Sequence, residues 1–375
     1  MDNNFIVSAR KYRPTRFVDV VGQESITSTL KNAILNKQVA QAFLFCGPRG
    51  VGKTTCARIL AKTLNCLELT TEGEACGKCT NCVSFADGNS LNVFELDAAS
   101  NNTVDDIRNL INQVRIAPTL GTKKVYIIDE VHMLSQSAFN AFLKTLEEPP
   151  KHAIFILATT EKHKILPTIL SRCQIFNFNR IAVDYMANHL ASIAQSENLT
   201  AENDALHLIA MKADGGLRDA LSIFDQMVSF EQGKVTYDGV LKNLNILDYD
   251  YYFKISDYIL EKNINKVLLT LGDVMNNGFD EHQFMMGLAA HFRDVLVAKD
   301  TSTIQLLEVG ENIKNKYLEQ SQKFDQQFLL DALEVCSNYD VDYKASKNKR
   351  LLTEIALMRL CSENLSDSKK KSITT

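Results

Sequence analysis

Residues 43–54, FLFCGPRGVGKT, restrict the fold of this chain more than any other stretch. A short apolar run, Phe43-Leu44-Phe45-Cys46, passes into Gly47-Pro48-Arg49-Gly50-Val51-Gly52-Lys53-Thr54, and TTCARILAKTLNC then reads as a helix. This is G-x-x-x-x-G-K-T set between strand and helix, the context that gives the motif its meaning. Glycines let the backbone wrap so that its N–H groups converge on phosphate oxygens, and the helix start adds its positive dipole end. In such a loop Lys53 reaches the β- and γ-phosphates and the Thr54 hydroxyl holds Mg²⁺. The candidate nucleotide-binding residues are therefore Gly47, Pro48, Arg49, Gly50, Val51, Gly52, Lys53, Thr54 and Thr55.

A second stretch supplies the carboxylates such a loop requires. Lys123-Lys124-Val125-Tyr126-Ile127-Ile128-Asp129-Glu130-Val131-His132 is a continuous apolar run closing on two acids. A buried parallel strand delivers side chains in this way to the top of a sheet, where the phosphate loop also lies. Asp129 is a candidate Mg²⁺ ligand, and Glu130 a candidate to orient or deprotonate an attacking water. A further apolar run, residues 154–157, ends at Ala158-Thr159-Thr160, where the Thr160 hydroxyl is a candidate partner for the γ-phosphate or that water. Arg172, in Ser171-Arg172-Cys173, has no evident task in its own domain; for a lone arginine a surface ion pair is the ordinary reading.

At 375 residues the chain exceeds one domain, since about 150 residues per domain is usual. It is 45% hydrophobic and 23% charged with net charge −4, so any nucleic-acid contact must come from a local patch. The basic opening Arg10-Lys11-Tyr12-Arg13-Pro14-Thr15-Arg16 either covers a nucleotide base, contacts DNA or is a solvated arm. No apolar run reaches membrane-spanning length and no signal peptide opens the sequence, which predicts a cytoplasmic protein without membrane contact.

The nine cysteines divide into two groups. Cys66, Cys76, Cys79 and Cys82 end in C-x₂-C-x₂-C, with Gly77 allowing the tight turn, and four thiolates so spaced can converge on one tetrahedral ion. The spacing predicts a structural Zn²⁺ module at about 66–82; an iron–sulfur cluster is the alternative. Cys46, Cys56, Cys173, Cys336 and Cys361 lie in apolar or helical contexts and are expected to be small buried side chains.

Elsewhere, residues 24–35 read as a helix with Ile26, Leu30 and Ile34 on one face. Residues 91–96 read as a strand, and Thr103-x-x-Asp106 approximates a capping box opening a helix that Pro118 and Gly121 break. SQSAFNAFLKTLEEPP is a helix stopped by Pro149-Pro150, and QIFNF another strand. From about Ile181 the strand pattern stops and helical periods continue to about Cys361. Gly215-Gly216 puts Arg218 in the first turn of a helix, where a cation opposes the dipole and a bound phosphate would offset the cost. The polar tail reads as disordered.

GPRGVGKT, IIDEVHML, ATT, SRC and GGLRDALS, in this order and spacing, resemble the clamp-loader group of AAA+ ATPases. The cysteine insertion, the opening YRPTRFVDVVGQ and the segment LDAASNNTVDDIR narrow the resemblance to the gamma/tau family of bacterial DNA polymerase III subunits. The resemblance implies an α/β AAA+ P-loop domain with a parallel sheet and the inserted zinc module over 1–180. It implies a helical lid domain over 181–246, an all-α collar that oligomerises over 247–363, and a tail over 364–375.

It also implies the cofactors ATP and Mg²⁺ with structural Zn²⁺, and the family's residue roles. Lys53 and Thr54 bind phosphate and Mg²⁺, and Asp129 and Glu130 are the Walker B acids. Thr160 is similar to sensor 1 and Arg218 to sensor 2, and Arg172 resembles an arginine finger entering a neighbouring subunit's site. The implied partners are the delta, delta-prime and further gamma/tau subunits, the sliding clamp and the backbone of primer-template DNA, contacted near Asn101-Asn102-Thr103.

The implied activity is ATP hydrolysis, stimulated by clamp and DNA, within a polymerase holoenzyme and without a polymerase active site in this chain. Ending at Thr375, the sequence looks like the shorter gamma form or a truncated product, so helicase and polymerase tethering is not expected of it. Two rival readings stay open: a non-catalytic scaffold of the same fold, which the intact Walker motifs oppose, and another DNA-remodelling AAA+ motor.

Overall fold

Five short strands build the sheet that carries the phosphate loop. In this computed structural model, residues 7–118, 123–244, 247–307 and 309–362 are described. The expected tail over 364–375 and the helix breaker Gly121 lie outside them. Strands β1 (Ala42–Cys46), β2 (Val93–Asp97), β3 (Lys124–Asp129), β4 (Ala153–Thr159) and β5 (Gln174–Asn177) form a sheet of order β2-β3-β4-β1-β5. Every pairing is parallel. Parallel strands bury both faces, which is why β1, residues 125–128 of β3 and residues 153–158 of β4 run apolar without interruption.

The two faces split each strand by residue parity. Phe43, Phe45, Val125, Ile127, Ile154 and Ile156 pack on one side with Ile26, Leu30 and Ile34 of helix Glu24–Leu35 and Cys56, Ile59 and Leu60 of helix Lys53–Leu64. Leu44, Tyr126, Ile128, Phe155 and Leu157 pack on the other with Ile107 and Leu110 of helix Val104–Val114 and Phe139 and Phe142 of helix Gln136–Glu147. Each such fully buried side chain contributes about 1.5–3 kcal/mol. Thr103 and Asp106 form the capping box, each side chain accepting the other's backbone N–H.

The register puts the chemistry at one edge. Cys46 pairs with Thr159 and Ile128 with Leu157, so β4 runs between the strand that feeds the phosphate loop and the strand that ends in Asp129. The carboxyl ends of these three strands open on one crevice, the usual ligand position in such sheets.

By backbone contacts the chain divides into two units, residues 1–200 with 209–233 and residues 201–208 with 234–375. After the sheet, the first unit holds helices Val183–Ser196 and Leu217–Phe230. The second contains helices Tyr249–Leu260, Ile264–Asn276, Glu281–Val297, Glu311–Ser321, Gln326–Tyr343 and Lys349–Leu360, all within the span read as helical from sequence. Their core includes Phe284, Leu288, Phe292, Leu329 and Leu357, with His291 buried against the Tyr317 hydroxyl and Gln320. Among the described residues no helix is long and apolar enough to cross a membrane.

Candidate active site and cysteine cluster

The loop after β1 can exist only with glycine at its entrance. Gly47 has φ +151°, and a Cβ there would overlap the carbonyl oxygen of Phe178. At Gly50, φ +78°, a Cβ would stand 3.2 Å from Gly216 Cα. That proximity lets the Gly50 carbonyl accept the Arg218 amide at 3.4 Å, so the helix Leu217–Phe230 starts beside the loop.

Lys53 is the first residue of its helix and is buried. Its Nζ donates to the carbonyls of Gly47 at 2.8 Å and Pro48 at 2.7 Å, curling back over the loop. Burial pulls its ammonium below the ordinary lysine value, while the Glu130 and Asp129 carboxylates push it up. Thr54 Oγ1 donates to Asp129 Oδ2 at 2.7 Å, so the two candidate Mg²⁺ ligands are already adjacent.

Glu130 follows β3 with φ +46°, a left-handed conformation uncommon for a non-glycine residue. This turns the chain out of the strand into the short turn Val131–Met133 and leaves the Glu130 carboxylate beside β4. Glu130 Oε2 accepts both the amide of Thr160 at 3.2 Å and its hydroxyl at 3.1 Å. His132 buttresses the same corner: Nδ1 lies 3.0 Å from the Thr159 hydroxyl and 3.4 Å from Glu130 Oε2, and Nε2 lies 3.3 Å from Glu161 Oε2.

Lys53, Thr54, Asp129 and Glu130 face a cavity of ≈ 690 Å³, a size typical of small-ligand sites, whereas Thr160 and His132 do not line it and stand behind Glu130. One part of its wall is polar, with Arg49, Lys53, Thr54, Thr55, Asp129, Glu130 and Arg218. Another is apolar, with Val20, Val21, Ile181, Leu217 and Leu221. Apolar side chains together with cations and a carboxylate pair around one cavity suit a nucleoside phosphate with its divalent cation.

Arg172 does not line this cavity. Its guanidinium pairs with Glu147 Oε1 at 2.6 Å and donates to the Thr168 carbonyl at 2.6 Å, the surface ion pair that is the ordinary reading of a lone arginine, although its sequence context did not disclose which acid would be the partner. The basic segment 10–16, left open as arm, base cover or DNA contact, enters the cavity wall through Arg10, Tyr12 and Arg13, and Arg13 Nε donates to Thr55 Oγ1 at 3.2 Å. Sequence reasoning missed His132, the buried Thr159 and Gln23. Gln23 Nε2 donates to the carbonyls of Asn179 at 2.8 Å and Val51 at 3.4 Å.

The four clustered cysteines converge as their spacing requires. Their Sγ atoms all lie within 4.8 Å of one another, with Cys66 and Cys79 at 4.0 Å. Tetrahedral Zn–S bonds of about 2.3 Å place sulfurs about 3.8 Å apart, so the set fits Zn²⁺. Although burial pushes the Cys79 thiol up, N–H groups of Leu67 and Cys82 and the thiols of Cys82 and Cys76 hold it down at about 6. Of the other cysteines, Cys46, Cys56, Cys336 and Cys361 are buried, and Cys173 is only half-buried.

A family model described as DNA polymerase III, delta subunit, matches residues 22–182. Another, DNA polymerase III clamp loader subunit, ATPase lid domain, matches 185–233. A third, DNA polymerase III delta subunit, C-terminal domain, matches 250–360. The chain is 42% identical to DNA polymerase III subunit tau of Bacillus subtilis over 94% of its own length and 62% of that protein. It is 43% identical to Escherichia coli subunit tau over 74% of its own length and 43% of that protein. Against subunit gamma of Buchnera aphidicola it is 40% identical over 81% of its length and 82% of that protein. The chain thus spans less than two thirds of the tau proteins it matches.

Proposed function

The chain belongs to the DNA polymerase III gamma/tau family, and from that premise we propose that it is an ATP-hydrolysing motor subunit of a clamp loader, opening the sliding clamp and placing it on primed DNA during replication. The observation that carries this reading is the convergence of Lys53, Thr54, Asp129, Glu130 and Arg218 on one cavity. Bound Mg-ATP would supply the phosphoryl group to be transferred to water and the cation that offsets its developing charge.

Lys53 would bind the β- and γ-phosphate oxygens, and Thr54 and Asp129 would hold the metal. Glu130 would orient the attacking water and accept its proton, with Thr160 fixing the carboxylate it now bonds. Arg218, beside the loop, would meet phosphate charge at the lid, which would offset its unfavourable place at a helix start. Arg172 would act on the site of a neighbouring subunit. Its pair with Glu147 is partly exposed, so releasing it costs about 1 kcal/mol or less.

The expected division into AAA+ domain, lid and collar is part of this proposal, as are a cytoplasmic, replisome-associated location and stimulation of turnover by clamp and DNA. Delta, delta-prime and further gamma/tau copies would complete the ring. DNA contact would be to phosphates, without sequence readout. Cys66, Cys76, Cys79 and Cys82 would hold one structural zinc, adding folding free energy to the insertion. Titrating a fluorescent ATP analogue into the chain and into Lys53→Ala tests the site: saturable binding should be lost in the variant, and binding of equal strength would overturn the assignment.

A further inference from the structure

A glutamate carried on the cysteine loop grips the wall of the nucleotide cavity. Glu74 stands two residues before Cys76 and is 4% exposed. Its Oε2 accepts the amide of Phe17 at 3.0 Å and its Oε1 that of Val18 at 3.1 Å. These residues open the short 3₁₀ turn Phe17–Asp19, so the amides are first-turn donors without an acceptor inside the turn. A carboxylate there satisfies both and meets the positive end of the turn. Lys31 Nζ, 3.5 Å from Oε1, balances the buried charge.

The turn leads straight into the cavity. The Val20 amide closes it on the Phe17 carbonyl at 3.2 Å, and Val20 and Val21 line the cavity. Val20 packs in one core with Val51 of the phosphate loop. Further on, Gln23 ties the segment to Val51 and Asn179. Residues 17–23 are therefore held at one end by Glu74 and at the other by Gln23.

What holds Glu74 is the cysteine loop itself. The Glu74 amide donates to Thr70 Oγ1 at 3.1 Å, the Thr70 amide returns to the Glu74 carbonyl at 3.0 Å, and the Cys76 amide donates to Cys66 Sγ at 3.3 Å. Gly73 seats against Leu35, where a Cβ would come within 3.1 Å of Leu35 Cγ. Cys66 and Cys76 thus fasten both ends of the loop that carries the carboxylate.

We propose that Glu74 is a positioning residue that couples metal binding at Cys66, Cys76, Cys79 and Cys82 to nucleotide affinity, by holding residues 17–21 against the phosphate loop. The inference rests on reading the cavity as a nucleotide site and the cysteines as a zinc site. A metal-fastened loop presents Glu74 in place, so the cavity wall is ordered before the nucleotide arrives and that ordering no longer opposes binding. Linkage makes the coupling reciprocal: nucleotide strengthens metal binding by the factor by which metal strengthens nucleotide binding.

The test uses the full chain, loaded with zinc or stripped by chelator, with ATP affinity measured by calorimetry and zinc release followed with a chromogenic chelator. Stripping zinc should weaken ATP binding by about fivefold or more, the low end of usual couplings, and ATP should strengthen zinc retention by a matching factor. Zinc-loaded Glu74→Ala should keep its metal, bind ATP more weakly by a comparable factor, and lose little further affinity when stripped. If Glu74→Ala folds poorly, Glu74→Gln, of equal size but with one acceptor oxygen for two amides, should show an intermediate loss. A stripping effect of equal size in wild type and variant, or none in either, overturns the coupling while leaving both binding sites standing. Failure of the wild-type chain to bind ATP or zinc at all overturns the functional reading and the coupling with it.

Discussion

Glu130→Gln should separate nucleotide binding from turnover. In the wild type, Glu130 Oε2 accepts the Thr160 amide at 3.2 Å and hydroxyl at 3.1 Å, and the glutamine carbonyl can accept the same two bonds in the same volume. The left-handed backbone at this position, φ +46°, penalises glutamate and glutamine alike. Lys53, Thr54 and Asp129 are untouched, so ATP affinity should stay close to that of the wild type, with a small change from the lost carboxylate that pushes the Lys53 pKa up. What disappears is the base. A positioned general base is worth about 10²–10⁴ in rate, so the barrier should rise by about 3–5 kcal/mol. The assay is steady-state ATP hydrolysis in the assembled loader with clamp and primed DNA, beside a direct measurement of ATP affinity. Turnover within tenfold of wild type would refute the role of Glu130, and loss of ATP binding would show that the substitution disturbed the site as a whole.

Arg172→Ala should leave ATP affinity intact and abolish stimulated hydrolysis in the ring, with a stability change of about 1 kcal/mol or less because its pair with Glu147 is partly exposed; unaltered stimulated turnover would dispose of the finger. Metal analysis should find one zinc per chain, lost in Cys79→Ser, and metal-free fresh protein would contradict the cluster's assignment. Burial holds the His291 imidazole at about 4 against an ordinary value of 6.5. The unfolded chain therefore binds a proton that the folded one refuses between those values. Stability of the second unit should be full above pH 6.5 and fall by about 3 kcal/mol as the pH drops through 4. Urea unfolding across this range checks it, and a profile unchanged by His291→Gln would contradict it.

The sheet and half of the site were readable because parallel strands concentrate their signal. FLFC and VYII are apolar without a break, the first leads into the phosphate loop and the second into Asp129, and the sheet brings those ends together. The order of the strands was not readable, since β4 enters between β1 and β3 through pairings far apart in sequence. For that reason the bonds from Thr160 to Glu130, and the His132 buttress beside them, could not be foreseen. Strand β2 begins at Val93, two residues later than the apolar run suggested, because its register with β3 starts at Val93 against Val125. The partners of Arg172 and Glu74 were hidden for another reason: an ion pair or a trans cap depends on one charged residue, and a single charge in a polar loop has no period to mark it. Cysteine spacing escaped this limit, since metal geometry is local enough to be written in a short interval.

The decisive measurement is the ATP hydrolysis rate of the loader containing this chain, with and without sliding clamp and primed DNA. A rate that rises when both are added, and that vanishes in Lys53→Ala, is the predicted result. A rate indifferent to clamp and primed DNA would contradict the proposal that this chain couples its ATP site to clamp loading.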